Sequence, residues 1–410
     1  MVKRIIAIGF IYFCTVIGWS ILGGSVTYRS QTQDDGIRME VGQLWGGAQV
    51  QQAPSVHRVV TIPSKDPTKE PRVAHRAVSL MGSDVQVAMG VEHRRKGLLW
   101  YGTYTVGFEG AYRFENTTAE AATFRFRFPL ASGGSVYDNF ALRIDGQRLD
   151  DVPITDGAAL QTLTLAPGQV ARVEVAYGSQ GLDDWRYDFG PQVNQVRDFS
   201  LAIRADFDDI DFPPGTLSPT QKKATDSGWD LAWTYDRLFA DADIGLEVPQ
   251  RLNPGPWVSR VTFFAPVSLF LFFFVLFTLS ITRGVSLHPV HYFFLSAAFF
   301  SYHLLLAYLV DHMSVYAALV ISAVVSMGLV ISYMRRVTTP RFALVETGVT
   351  QFIYLVLFSC SFFLEGYTGL AVTVLSVITL FLAMQLTSHV DWNAMTARSQ
   401  AATTAPEVSA

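Results

Sequence analysis

The chain has little cysteine and little charge. Cys14 and Cys360 are the only thiols in 410 residues. The long polar stretch between them holds none, which excludes a disulfide framework there and any C-x-x-C redox or zinc motif. Only 16% of residues are charged, against about 25% in an ordinary soluble protein. Basic residues are not in excess, with 31 Lys and Arg against 35 Asp and Glu, and residues 26–256 carry 23 against 30. An acidic balance argues against a nucleic-acid partner. H-E-x-x-H and a phosphate-binding loop are also missing, and Gly133-Gly134-Ser135 does not bracket its serine as a nucleophile elbow does. With no catalytic signature the chain reads as a non-enzyme that requires no cofactor.

Apolar sequence is what the chain has in abundance. Five runs, Val261–Ile281, Val290–Val310, Val315–Met334, Ala343–Leu364 and Tyr367–Thr387, are each long enough to cross a hydrocarbon core of about 30 Å as a helix. Backbone groups in lipid must be paired within the segment, so such runs form helices. Charged residues fall almost wholly between them, and Glu346 alone lies just inside one. A sixth run, Ile5–Leu22, follows Lys3 and Arg4 and precedes Gly23-Gly24-Ser25. It reads as an uncleaved anchor over residues 1–25, with cleavage near Gly24 as the alternative. Arg283, Arg335, Arg336, Arg341 and Arg398 would all lie on one side if the N-terminus is cytoplasmic, which places residues 26–256 in the periplasm and both termini inside.

Residues 26–97 have weak periodicity and predict a poorly ordered or extended periplasmic lead-in, with a strand around His57–Ile62. His57, His75 and His93 lack short ligand spacing and read as unrelated surface histidines rather than a metal site. From Leu98 the period becomes two, and Phe124, Phe126 and Phe128 alternate with Arg125 and Arg127. Asp145-Gly146 predicts a type I′ hairpin, and Ala166-Pro167-Gly168-Gln169 a second one between Leu160–Leu165 and Val170–Tyr177. Phe199–Phe207 and Trp229–Tyr235 add strands, which together predict an antiparallel β-sandwich over residues 98–256. Asp206, Asp208, Asp209 and Asp211 lack the glycine turn of a calcium loop and read as a solvated connection. Ser179–Tyr187 reads either as a binding loop or as aromatics packed over the sandwich end. Leu252–Trp257 breaks the strand pattern before the membrane, with Trp257 at the bilayer interface and Pro266 near the start of its helix. The fold class is thus α+β, a membrane protein with an N-terminal transmembrane helix, a β domain, a five-helix bundle over residues 257–392 and a disordered cytoplasmic tail over residues 393–410.

Landmarks in the membrane block carry a resemblance. Leu287-His288-Pro289-Val290-His291-Tyr292, Tyr302-His303-Leu304-Leu305-Leu306 and Asp311-His312 lie without gaps in one helix and its ends. Glu365-Gly366-Tyr367 follows later, and the last helix ends Thr387-Ser388-His389-Val390-Asp391-Trp392. This pattern resembles the CreD family of bacterial inner-membrane proteins over roughly residues 250–392. His291 stands where the family has Gln, and His303 where it has Tyr. The resemblance implies a part in cell-envelope integrity and in tolerance of β-lactams and colicins. The partners expected are membrane lipid and an envelope protein or polymer bound by the periplasmic domain. Candidate functional landmarks are His288, Pro289, His303, Asp311, His312, Glu365, Asp391 and Trp392. A transporter of small molecules or lipids is the alternative, with His303 near mid-bilayer as its best residue; the plainer reading is a neutral imidazole bonded within the bundle.

Overall fold

The computed structural model describes residues 2–62, 72–131, 136–190, 196–239, 242–364 and 366–388. It begins with helix α1 (Val2–Trp45), followed by β1 (Gln49–Gln52), β2 (Ser55–Ile62), β3 (Arg72–Val78), β4 (Gly82–Lys96), β5 (Leu99–Glu115) and β6 (Ala122–Pro129). Strands β7 (Tyr137–Ile144), β8 (Gln147–Arg148), β9 (Ile154–Thr155), β10 (Ala158–Leu165), β11 (Val170–Leu182) and β12 (Asp184–Asp188) come next. Strands β13 (Val196–Ala205), β14 (Gln221–Thr225), β15 (Gly228–Leu238) and β16 (Ile244–Glu247) precede the helices α2 (Pro254–Thr282), α3 (Pro289–Leu309) and α4 (Val315–Val337). Helix α5 (Phe342–Phe363) and helix α6 (Thr368–Thr387) complete the described chain. Two compact units result, Asp35–Arg251 and a helical unit of Met1–Asp34 with Leu252–Ala410.

The β unit has an eight-stranded sheet ordered β14-β15-β13-β4-β5-β11-β7-β8, a five-stranded sheet ordered β3-β2-β6-β10-β9, and a three-stranded sheet ordered β1-β12-β16. The two larger sheets face each other through aromatic side chains. Phe108 meets Phe128 at 5.9 Å, and Phe114 stacks on Phe126 at 6.5 Å. Burial of Tyr104, Tyr112 and Tyr177 pushes their phenols well above the usual range. Pairing is antiparallel except for β13 with β4 and β1 with β12, which run parallel.

Residues 26–97 depart from the expected loose lead-in. Helix α1 continues through Gly23-Gly24 to Trp45, because Gln, Arg, Met, Glu and Leu after Arg29 are good helix formers and no proline intervenes until Pro54. It stops at Gly46, whose φ of +106° favours glycine; a Cβ there would also collide with the Gln180 carbonyl. Strand β4 lies mid-sheet, antiparallel to β5 and parallel to β13. Its core face of Val85, Val87 and Met89 alternates strictly, but the following Glu92–Lys96 obscures that pattern in sequence.

Asp145 and Gly146 both have positive φ and join β7 to β8 as expected. The second expected hairpin does not form. Strand β10 pairs with β6 and β9, whereas β11 pairs with β5 and β7. Residues 166–169 therefore cross from one sheet to the other. Buried Asn116 anchors this corner by donating to the Leu165 and Ala166 carbonyls. Ser179–Tyr187 resolves as the end of β11 and the start of β12, kinked at Asp183 (φ 72°), with Trp185 and Tyr187 buried in the core.

Among the described residues six helices are long and apolar enough to span a membrane. Outward residues such as Phe270, Val324 and Val377 are 53%, 66% and 61% exposed, as a lipid-facing surface requires. Helix α2 starts at Pro254, earlier than the apolar run, since prolines at its first turn need no amide hydrogen. Pro266 therefore lies in the helix interior, where its carbonyl accepts from the Tyr12 hydroxyl at 3.1 Å. Trp257 is buried against Phe363, 4.5 Å between ring centroids. Gly23 packs on Phe263, and a Cβ there would approach its ring to 3.2 Å. Trp19 is fully buried against Phe299 and Phe300.

Candidate functional site

The landmark residues fall at distinct places in the helical unit. His288 and Pro289 start α3: Pro289 occupies the first turn, and the Val290 amide donates to His288 Nδ1 at 3.3 Å. This is helix-start chemistry. His291 Nδ1 meets the Tyr333 hydroxyl at 2.8 Å and links α3 to α4. His303 is buried, with its ring 5.6 Å from Trp19, and Nδ1 lies 3.3 Å from the Phe299 carbonyl. A carbonyl only accepts, so that nitrogen carries the hydrogen in this contact.

Asp311 follows α3 and pairs with Arg29 of α1 at 3.1 Å. The same guanidinium donates to the Ala307 carbonyl at 2.6 Å and lies 5.0 Å from the Tyr308 ring centroid. His312 is exposed in the turn. Glu365, Asp391 and Trp392 lie outside the described residues, as does the tail expected over residues 393–410. Glu346, the acid set inside an apolar run, pairs with Arg283 at 3.5 Å.

A buried polar seam joins α4 to α5. Gln351 Nε2 donates to Ser326 Oγ at 3.0 Å, and Ser326 Oγ donates to the Ala298 carbonyl at 2.7 Å. Ser322 Oγ, Thr347 Oγ1 and Gln351 Oε1 are buried without a hydrogen-bond partner among the described residues. Helix α5 widens into π-helical turns at Phe342–Thr347 and Phe352–Leu357, flanking this glutamine. Such turns are frequent at functional sites. Sequence reasoning passed over the seam, although Ser322 with Ser326 and Thr347 with Gln351 stand four residues apart, as a polar helical stripe does.

The concavities of the β unit include a cleft and a broader trough. The cleft, of about 270 Å³, is lined by His57, Ser79, Tyr187, Phe189 and Phe199. The trough, of about 670 Å³, lies on the outer face of the eight-stranded sheet. Its floor is Ala88, Gly107, Ala176, Ala202 and Ala232, and its charged wall includes Arg204 paired with Asp230 at 3.0 Å. In the aspartate-rich connection Asp206 accepts from the Val91 amide at 2.8 Å. His93 Nε2 lies 2.9 Å from the Pro249 carbonyl. Among the described residues no group of three or more His, Cys, Asp or Glu is placed to hold a metal ion.

Residues 201–393, from β13 through the helical unit, match the model of the family described as inner membrane protein CreD. The chain is CreD-like. It joins apolar helices long enough to span a membrane to a large β domain. No curated protein matches this CreD-like chain. Among solved structures, one similar protein is a proposed nutrient-binding protein from Legionella pneumophila, with 10% identity and a TM-score of 0.35 over 55% of this chain and 76% of that one. Another is an M1 zinc metallopeptidase from Deinococcus radiodurans, with 14% identity and a TM-score of 0.25 over 42% of this chain and 43% of that one. Neither likeness carries an argument about fold or function at these scores.

Proposed function

We propose that this CreD-like protein is a non-enzymatic envelope protein whose β domain lies in the periplasm and binds an envelope partner. In this reading it sustains envelope integrity under stress such as β-lactam exposure. The observation that supports it most is the contrast between the units. Inside the bundle, side-chain polar groups mostly bond to carbonyls of their own helix or to a neighbouring helix, as His291 does with Tyr333, Gln351 with Ser326, and Tyr354 with Thr379 at 2.5 Å. The β domain instead offers broad sheet faces outside any span. The test is crosslinking in intact envelopes from the full chain and from a chain whose residues 35–251 are replaced by an unrelated folded domain. Specific adducts that need residues 35–251 are expected. An identical adduct pattern from both chains refutes the reading.

A second reading, transport through the bundle, is favoured by the three oxygens of the α4–α5 seam that have no partner among the described residues and by the π-helical turns beside Gln351. Gln351→Leu separates the two. A binding protein with an anchoring bundle keeps stress tolerance at normal abundance, whereas a polar route loses it.

A further inference from the structure

Charge is segregated within the β unit. The unit is acidic overall, yet the strands of the five-stranded sheet contain no Asp or Glu. They carry Arg58, Arg72, Arg76, Arg125 and Arg127, together with His57 and His75. On the opposing sheet, Arg113 pairs with Asp198, Arg172 with Glu174 at 2.9 Å, and Arg204 with Asp230 at 3.0 Å. None of the five arginines of the smaller sheet has an acidic partner among the described residues.

Register places two of these arginines and both histidines on one face. Phe124, Phe126 and Phe128 point into the core, so Arg125 and Arg127 point out. His57 sits directly opposite Arg125 on the neighbouring strand, and His75 is one diagonal step further, on β3. On the other flank Thr162 of β10 stands opposite Arg125. Strand geometry sets the two arginines about 7 Å apart along β6, and the patch is about 10 Å wide across three strands. Burial of the half-exposed His57 lowers its pKa, and His75, Arg125 and Arg127 lower it further by repulsion.

We propose that the outer face of the five-stranded sheet, centred on Arg125 and Arg127, binds a linear envelope polymer bearing phosphate or carboxylate groups. This deepens the partner-binding reading and rests on it. Guanidinium forks pair with either anion through two parallel hydrogen bonds. The face has no aromatic side chain on which a neutral sugar would stack, so recognition runs through the anionic groups. The two arginines along β6, with His57 and His75 on one flank and Thr162 on the other, suit a chain lying along the strand. A bilayer surface would call for apolar insertion beside the charges; the exposed aliphatics Ile62 and Val73 instead stand at the far end of the β2–β3 ribbon.

The test uses the full chain in nanodiscs of zwitterionic lipid, titrated with polyphosphate, polygalacturonate or neutral dextran, and floated with phosphatidylglycerol vesicles. One or both polyanions should bind, dextran should not, and added salt should weaken binding. Arg125→Gln with Arg127→Gln should reduce affinity at least tenfold, and Thr162→Asp should also reduce it. Arg204→Gln, on the opposite sheet, should leave it unchanged. An unchanged melting temperature separates lost binding from lost folding, and Thr162→Asp serves alone if the double variant unfolds. Absence of polyanion binding, equal loss in Arg204→Gln, or capture by vesicles in preference to both polymers overturns the proposal. Failure here with crosslinks that still depend on residues 35–251 removes the polyanion site and leaves partner binding intact.

Discussion

A fragment of residues 98–256, the domain that periodicity alone suggests, should not fold, whereas residues 35–251 should. The shorter piece lacks β4, which runs antiparallel to β5 from Gly82↔Arg113 to Lys96↔Leu99 and parallel to β13 from Phe199↔Ser83 to Ala205↔Met89. It also lacks β2, whose Val56 faces Phe126 in register. Val56, Val85, Val87 and Met89 are each at most 3% exposed. Burial of four such side chains contributes about 6–12 kcal/mol at about 1.5–3 kcal/mol each. That is comparable to the whole stability of a typical domain, about 5–15 kcal/mol. Removing β4 also splits the eight-stranded sheet into two pieces and uncovers a strand edge on each. Circular dichroism and amide proton dispersion of both fragments measure the outcome. A cooperative transition for residues 98–256 within about 5 °C of that for residues 35–251, where 1 kcal/mol shifts a domain of this size by about 2–4 °C, would refute the assignment of β4 to the core.

Other expectations follow from single groups. For Arg29→Ala and Asp311→Ala, a double-mutant cycle on thermal unfolding in detergent should give a coupling of about 0.5–1 kcal/mol, small because both side chains are over a third exposed; additive effects would show that the pair does not hold α1 to α3. The folded pKa of His57 lies below its ordinary value of 6.5, so on acidification the unfolded chain takes up the proton first. Its effect on stability is therefore flat above about pH 6.5 and becomes destabilising as pH falls toward the folded pKa. Melting curves between pH 7 and 5 should lose part of their slope in His57→Gln, and an identical slope would contradict this. Reporter fusions after Leu252 should be periplasmic and those after Arg341 cytoplasmic; a periplasmic signal at Arg341 would overturn the orientation.

The parts of the fold legible in sequence are those where one local pattern determines one element. Apolar runs between charged loops marked the spans, and Asp145-Gly146 marked its turn because both positions need positive φ. Phe124, Phe126 and Phe128 announced their buried face. Sheet membership was not legible, since alternation in β10 and β11 fixes which face is buried without fixing which strand lies alongside. Helix α1 outran the apolar signal because helix propensity continued after hydrophobicity stopped. For the candidate site, His288-Pro289 was visible as a motif and proved to be the start of a helix. The Arg29–Asp311 pair joins residues nearly 300 positions apart, beyond the reach of any local pattern. The cationic face of the five-stranded sheet was half visible in Arg125 and Arg127, but only register brings His57 and His75 beside them.

The most direct test of the central claim is β-lactam tolerance in cells whose only copy of the chain has residues 35–251 replaced by an unrelated folded domain of similar size. The variant should reach the membrane at normal abundance and restore no tolerance, because the proposed partner binding would be lost with the domain removed. Full tolerance from that variant would contradict the account and assign the function to the helices alone.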